Sequence, residues 1–163
     1  MSGTLVLPDR SAAEQARVEA LLREIFDERI RFNHWLGLRV HSLAPDAPQL
    51  AFDMREELIG NFVQGRLHGG MIAATLDTVG GLAVAVAIAE KHKGEPAEQI
   101  GHRFNRVGTI DMRVDYLRPG MGRSFVATGR VIRLGGRIAS VQMMLENDGG
   151  ETIATGTAAY VIT

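Results

Sequence analysis

With 163 residues, 18 basic against 19 acidic side chains, 45% hydrophobic residues and no cysteine, the chain fits one globular domain that buries roughly 70% of its unfolded surface without disulfides or a structural metal. The absence of cysteine excludes a disulfide scaffold, a thiolate metal site and a cysteine nucleophile. A net charge of -1 with 23% charged residues excludes a polybasic nucleic-acid binder and an acidic disordered tail, so the expected partner is a small molecule.

Met1–Arg10 lacks the basic start, apolar stretch and small-residue cleavage site of a secretory leader, and a cytoplasmic protein is expected. Ser11-Ala12-Ala13-Glu14 has the spacing of a capping box, in which the serine accepts from the third helical amide and the glutamate reaches back to the cap. Val18, Leu21, Leu22, Ile25, Phe26 and Ile30 then recur at three- and four-residue steps, predicting an amphipathic helix that ends near Phe32. The chain thus divides into an N-terminal helical extension, residues 1–34, and a main domain, residues 35–163. Leu38–Leu43 and Gln49–Met54 read as strands joined by a turn at Pro45 and Pro48, and Glu56–Leu67 reads as irregular.

Gly70–Ala89 is apolar over about 20 residues, long enough to cross a bilayer. Asp77 near its middle would cost about 2.5–3.5 kcal/mol there, and Ala, Gly, Val and Thr replace the usual Leu and Phe. A helix surrounded by protein is therefore expected, closed by Lys91, His92 and Lys93, with no membrane partner. Gly94–Gly101 reads as a polar loop. From Thr109 the period becomes two: Ile110, Met112, Val114 and Tyr116 share a buried face, while Thr109, Asp111, Arg113 and Asp115 share a wet one. Phe125–Leu134, Ile138–Leu145 and Ile153–Ile162 follow, with turn signals at Pro119-Gly120, Gly135-Gly136 and Asp148-Gly149-Gly150 that make the strands antiparallel. The expected fold is α+β, a long central helix against an antiparallel sheet of five or six strands. A nearly all-apolar helix with a sheet on one side needs cover on the other, and a second copy of the chain, in a two-fold homodimer, is the simplest candidate.

The chemistry concentrates in Asn61–Asp77. Gly69 and Gly70 open a helix, where unpaired amides and the positive end of the dipole make an oxyanion site. Asp77 lies two helical turns past Gly70 on the same face. It reads either as a reactive carboxylate or, with equal weight, as a satisfied polar group bonded to Thr78 or to a partner chain. His68 has no serine elbow or cysteine to serve and reads as a residue fixing the loop. His34, His41, His92 and His102 show no ligand spacing, so neither a metal nor a cofactor is expected.

His68-Gly69-Gly70 with Asp77 nine residues after the histidine, the small-residue helix to Lys91 and the strand Thr109–Pro119 together resemble the hotdog-fold acyl-coenzyme A thioesterases, particularly the branch with the phenylacetate-pathway and human thioesterase-superfamily members. The resemblance covers roughly residues 35 to 162 and leaves the N-terminal helix outside. It implies that the Gly69 N–H, helped by Gly70, polarises a thioester carbonyl, with Asp77 as nucleophile or general base across a dimer interface. It implies further that Thr109 helps hold the attacking water and that Asn61, or Gln64 because Asn61 sits one residue too far from the glycines, contacts the carbonyl.

Residues 103 to 137 hold eight arginines against two acids, a surface suited to the phosphates of coenzyme A, although any single arginine could equally be an outward strand residue. The hairpin from Arg133 to Arg137 resembles the family's nucleotide-holding loop, whereas no aromatic platform for nucleic acid is interleaved. Hydrolysis of an acyl-CoA by a homodimer, with two dimers pairing into a tetramer, is the expected function. A non-catalytic acyl-CoA sensor is the alternative, and a hydratase of the same fold ranks below it.

Overall fold

The computed structural model describes residues 8–163; residues 1–7, most of the segment read for a leader, lie outside it. Helix α1 spans Ala12–Arg23. The Ser11 hydroxyl accepts from the Glu14 amide at 3.2 Å, but the Glu14 carboxylate does not return to the cap and instead accepts from the Ala97 N–H at 2.8 Å. Nor does the helix run unbroken to Phe32. It widens into a π-helix over Glu24–Arg29, breaks at Ile30 and resumes as α2, Arg31–Leu36. Buried Asn33 bridges the break, donating from Nδ2 to the Phe26 carbonyl at 3.2 Å.

Strands β1 (Arg39–Ser42) and β2 (Gln49–Asp53) follow as expected. The stretch read as irregular contains a small hairpin, β3 (Ile59–Asn61) and β4 (Arg66–Leu67), whose strands are too short for alternation to show. The central helix α3 spans Gly69–Lys91. The expected polar loop is instead largely helix α4, Ala97–Phe104, with Ile100 fully buried. A helix this short is not stable on its own; the Glu14 carboxylate at its first amide and the burial of Ile100 hold it, and neither long-range contact shows in a local reading.

Strands β5 (Gly108–Tyr116), β6 (Ser124–Leu134), β7 (Ile138–Asn147) and β8 (Thr152–Val161) complete the chain. The sheet has six strands in the order β1-β2-β6-β7-β8-β5, antiparallel at every junction, and its inner face wraps α3. This is the α+β hotdog architecture. A Cβ at Gly129 would stand 2.6 Å from the Val79 carbonyl oxygen, so glycine there lets α3 seat closely on β6. Of the most apolar window of α3, 67% is buried inside the chain, as in a core helix.

Helices α1 and α4 pack on α3 as well, and Val18, Leu22, Phe26 and Ile100 join the same hydrophobic core as Leu76, Leu82 and Ala85. The need for cover is thus met partly from the N-terminal helices. Apolar surface is left open along β5, an edge strand whose Ile110 and Tyr116 are 54% and 55% exposed where alternation had both buried, and also at Phe62 and Val63 in the turn after β3 and at Phe32 and Trp35 of α2. If α4 is core, Ile100→Ala should cost about 2–4 kcal/mol in denaturant unfolding, whereas a loop residue would cost less than about 0.5.

Candidate active site

Asp77 sits on the one partly accessible stripe of α3, which Ala73, Ala74, Thr78 and Gly81 share with it. Two hydroxyls hold the same carboxylate oxygen: Thr109 Oγ1 donates to Oδ1 at 2.8 Å, and Tyr160 Oη, dividing its proton between Oδ1 (3.1 Å) and the Asp77 carbonyl (2.8 Å), does so as well. Oδ2 has no hydrogen-bond partner among the described residues. Burial first, and then the Asp77 charge, push the Tyr160 hydroxyl far above the ordinary tyrosine range, so it is a permanent donor.

Both hydroxyls reach Asp77 through local irregularities. A bulge interrupts the register between Thr109 and Asp111, so that Thr109 lies opposite Tyr160 and faces the helix with Met112 and Val114. Strict alternation had placed Thr109 on the wet face. On the helix side, a Cβ at Gly80 would clash with the Tyr160 hydroxyl and stand 2.9 Å from Cζ, so only glycine admits the phenol. Tyr160 went unnoticed in the sequence. Its inward position in the alternation of β8, after Gly156 and Ala158, was the available signal, because a buried tyrosine O–H requires a partner.

At the other end of the site, His68 caps α3, its Nδ1 accepting from the Gly70 N–H at 2.8 Å. That bond occupies the Gly70 amide. The Gly69 N–H, one residue earlier, has no acceptor among the described residues, and Tyr116 Oη donates to the Gly69 carbonyl at 3.1 Å. Gly69 borders a cleft of about 400 Å³ with Leu67, Ile72, Tyr116 and Arg118, whereas Asp77 opens onto a different one of about 250 Å³. The two residues are eight apart on α3, a rise of roughly 12 Å. Asn61 Oδ1 accepts from the Gln64 N–H at 3.0 Å, which ties both into the turn between β3 and β4.

Four of the eight arginines are committed elsewhere. Arg103 makes two 2.6 Å bonds to Glu95 and holds that carboxyl below the ordinary carboxylate range. Arg113 pairs with Asp115, Arg118 donates to the Thr152 carbonyl and Arg123 pairs with Asp148. Arg133 and Arg137 are exposed and their side chains have no partner among the described residues. The pairings Leu134–Ala139, Ala139–Tyr160 and Tyr160–Thr109 set their hairpin at the Thr109 end of the sheet, three strands or roughly 14 Å across. No cluster of metal-ligating side chains occurs among the described residues.

Gly80→Ala gains about 1 kcal/mol of helix propensity yet should destabilise the protein by about 1–3 kcal/mol, because the methyl displaces Tyr160. In denaturant unfolding, Gly80→Ala with Tyr160→Phe should be less damaging than the two costs added, since phenylalanine removes the oxygen that the methyl strikes. Simple additivity would mean that Gly80 and the hydroxyl are uncoupled.

Residues 64–154 match the model of the thioesterase superfamily, a segment that includes Gly69, Asp77 and Thr109 but neither the N-terminal helices nor Tyr160. The chain is 39% identical over 150 residues to a medium/long-chain acyl-CoA thioesterase, YigI, of Salmonella typhimurium, covering 92% of this chain and 96% of the relative, and 38% identical over the same length to that of Escherichia coli. A crystal structure from Shewanella oneidensis related to the thioesterase superfamily superposes with a TM-score of 0.87 at 39% identity, covering 94% of this chain and 100% of that one. Mouse thioesterase superfamily member 2, at 23% identity and a TM-score of 0.69, shares the fold. This chain belongs to the thioesterase superfamily and is a thioesterase of the hotdog fold.

Proposed function

We propose that the protein hydrolyses an acyl-coenzyme A to the free acid and coenzyme A at a site shared by two copies of the chain. The relatives named acyl-CoA thioesterases, aligned over nearly their whole length, support the substrate class. The observation that carries the mechanism is the pairing of a fixed carboxylate, free at Oδ2, with an unpaired helix-terminal amide too far away to serve the same carbonyl. An oxyanion donor must come within about 3 Å of the oxygen it stabilises, and roughly 12 Å separates Gly69 from Asp77 along α3.

Edge strand β5 supports the two-chain reading. Thr109, bonded to Asp77, lies near one end, and Tyr116, bonded to Gly69, lies at the other. Two copies paired antiparallel along β5 about a two-fold axis bring the Thr109 end of each beside the Tyr116 end of its partner. The exposed Ile110, Tyr116 and Leu117 fit such an interface.

In this arrangement the Gly69 amide of one copy holds the thioester oxygen as negative charge develops on it. Asp77 Oδ2 of the other copy acts on the carbonyl carbon in one of two ways. It adds directly, expelling the coenzyme A thiolate and leaving a mixed anhydride for water to open, or it takes a proton from the water that attacks. Either route ends in carboxylic acid and thiol. Thr109 and Tyr160, by donating to Oδ1, aim Oδ2 outward. Arg133 and Arg137 serve as unpaired cations for the phosphates of the leaving group.

Thiol release from a panel of acyl-CoA thioesters tests this, with a thiol reagent that meets no cysteine in the protein. Asp77→Asn should lower kcat/KM by about 10²–10⁴-fold while the fold survives. Full activity in the variant would move the chemistry elsewhere, and binding without release by the native protein would make it a sensor.

A further inference from the structure

We infer that the N-terminal helices form the acyl-chain pocket of this enzyme and that Gly81, bare of a side chain, sets how long a chain it accepts; the inference rests on Asp77 being the reacting carboxylate. The cavity of about 250 Å³ onto which Asp77 opens is walled by Phe26 of the π-helix, Ile30 at the break, Phe32 of α2, Phe104 of α4 and Val107. Three of these five residues come from the segment ahead of β1. All three lie ahead of residue 64, where the match to the superfamily model begins.

The wall is pinned beside the carboxylate. Asn33 is 2% exposed, and its Oδ1 lies 3.2 Å from the Thr78 hydroxyl, one residue from Asp77 on α3, sharing that proton with the Ala74 carbonyl at 2.8 Å. The π-helix and the break at Ile30 give α2 a direction that a continuous α1 would not take. Phe26 packs on Phe104 with ring centroids 5.2 Å apart, joining the wall to α4.

Gly81 lies one helical turn beyond Asp77 on the same stripe and borders this cavity. A Cβ built there meets nothing within 4 Å. Unlike Gly80, it is therefore not required by packing, and a side chain there projects into the space a substrate would use. Beyond the carboxylate and its two hydroxyls the walls are mostly hydrocarbon, and the Asn33 and Thr78 groups already bond to each other. The occupant that fits is an unsubstituted aliphatic chain, because a hydroxylated one would bury a polar group without a partner.

The test is kcat/KM for butyryl-, octanoyl- and palmitoyl-CoA with native protein, Gly81→Ala and Gly81→Leu. The ratio of palmitoyl to butyryl activity should fall about tenfold or more in Gly81→Leu and by a smaller factor in Gly81→Ala, which reports even if the leucine variant fails to fold. Phe32→Ala, widening the opposite wall, should shift the Gly81→Leu ratio back toward native. An unchanged ratio in folded Gly81 variants of an active enzyme would overturn the pocket and leave the Asp77 reading standing. Native protein inert toward all three thioesters would overturn both.

Discussion

A carboxylate that acts from the middle of an apolar helix must be held without being neutralised, and the geometry around Asp77 meets that constraint with two neutral hydroxyls rather than a cation. Thr109 and Tyr160 converge on Oδ1, and each depends on a departure from regular structure. A bulge in β5 turns Thr109 inward, and the missing Cβ of Gly80 admits the Tyr160 phenol. Because both hydroxyls bind one oxygen, the other keeps its lone pairs for chemistry. An arginine in their place would bring a charge that competes for the same electrons.

In the proposed mechanism the same helix carries the second half of the site at its start, where the His68 ring takes the Gly70 amide and leaves that of Gly69 unpaired. One rigid helix thus fixes both groups and also fixes the distance between them. Rigidity supplies preorganisation, while the separation is what makes the proposed mechanism call on a second chain. The edge strand that touches Asp77 through Thr109 and Gly69 through Tyr116 is the element whose self-pairing would restore the missing neighbour.

Much of this was legible in the sequence because it rests on local rules. Four of the strands from β5 onward and β1 and β2 follow from alternation and turn residues, and α3 from its unbroken apolar composition and its opening glycines. Gly69, Asp77 and Thr109 stood out as candidates, but the bond between Thr109 and Asp77 did not, because a bulge shifts the phase of alternation without marking the residues that cause it. Helix α4 escaped for a different reason: its stability comes from Glu14 and from packing on α1, more than eighty residues earlier. The π-helix was equally hidden, since Val18 to Ile30 satisfies helical spacing whether or not the turn widens. Tyr160 was lost in an apolar run, where an aromatic residue reads as core until its hydroxyl is given a partner.

The sharing of one site between two chains is the central claim, and subunit complementation tests it most directly. Gly69→Pro removes the oxyanion donor alone, since proline suits the first helical position and His68, at φ −65° and ψ 136°, already has the conformation that precedes it. Two differently tagged chains, one Gly69→Pro and the other Asp77→Asn, are co-expressed and the doubly tagged heterodimer is isolated. Each homodimer should be inactive, and the heterodimer should recover roughly half of native activity, because one of its two sites combines the intact Gly69 of one chain with the intact Asp77 of the other. A heterodimer as inactive as its parents would contradict the shared site and return the chemistry to a single chain.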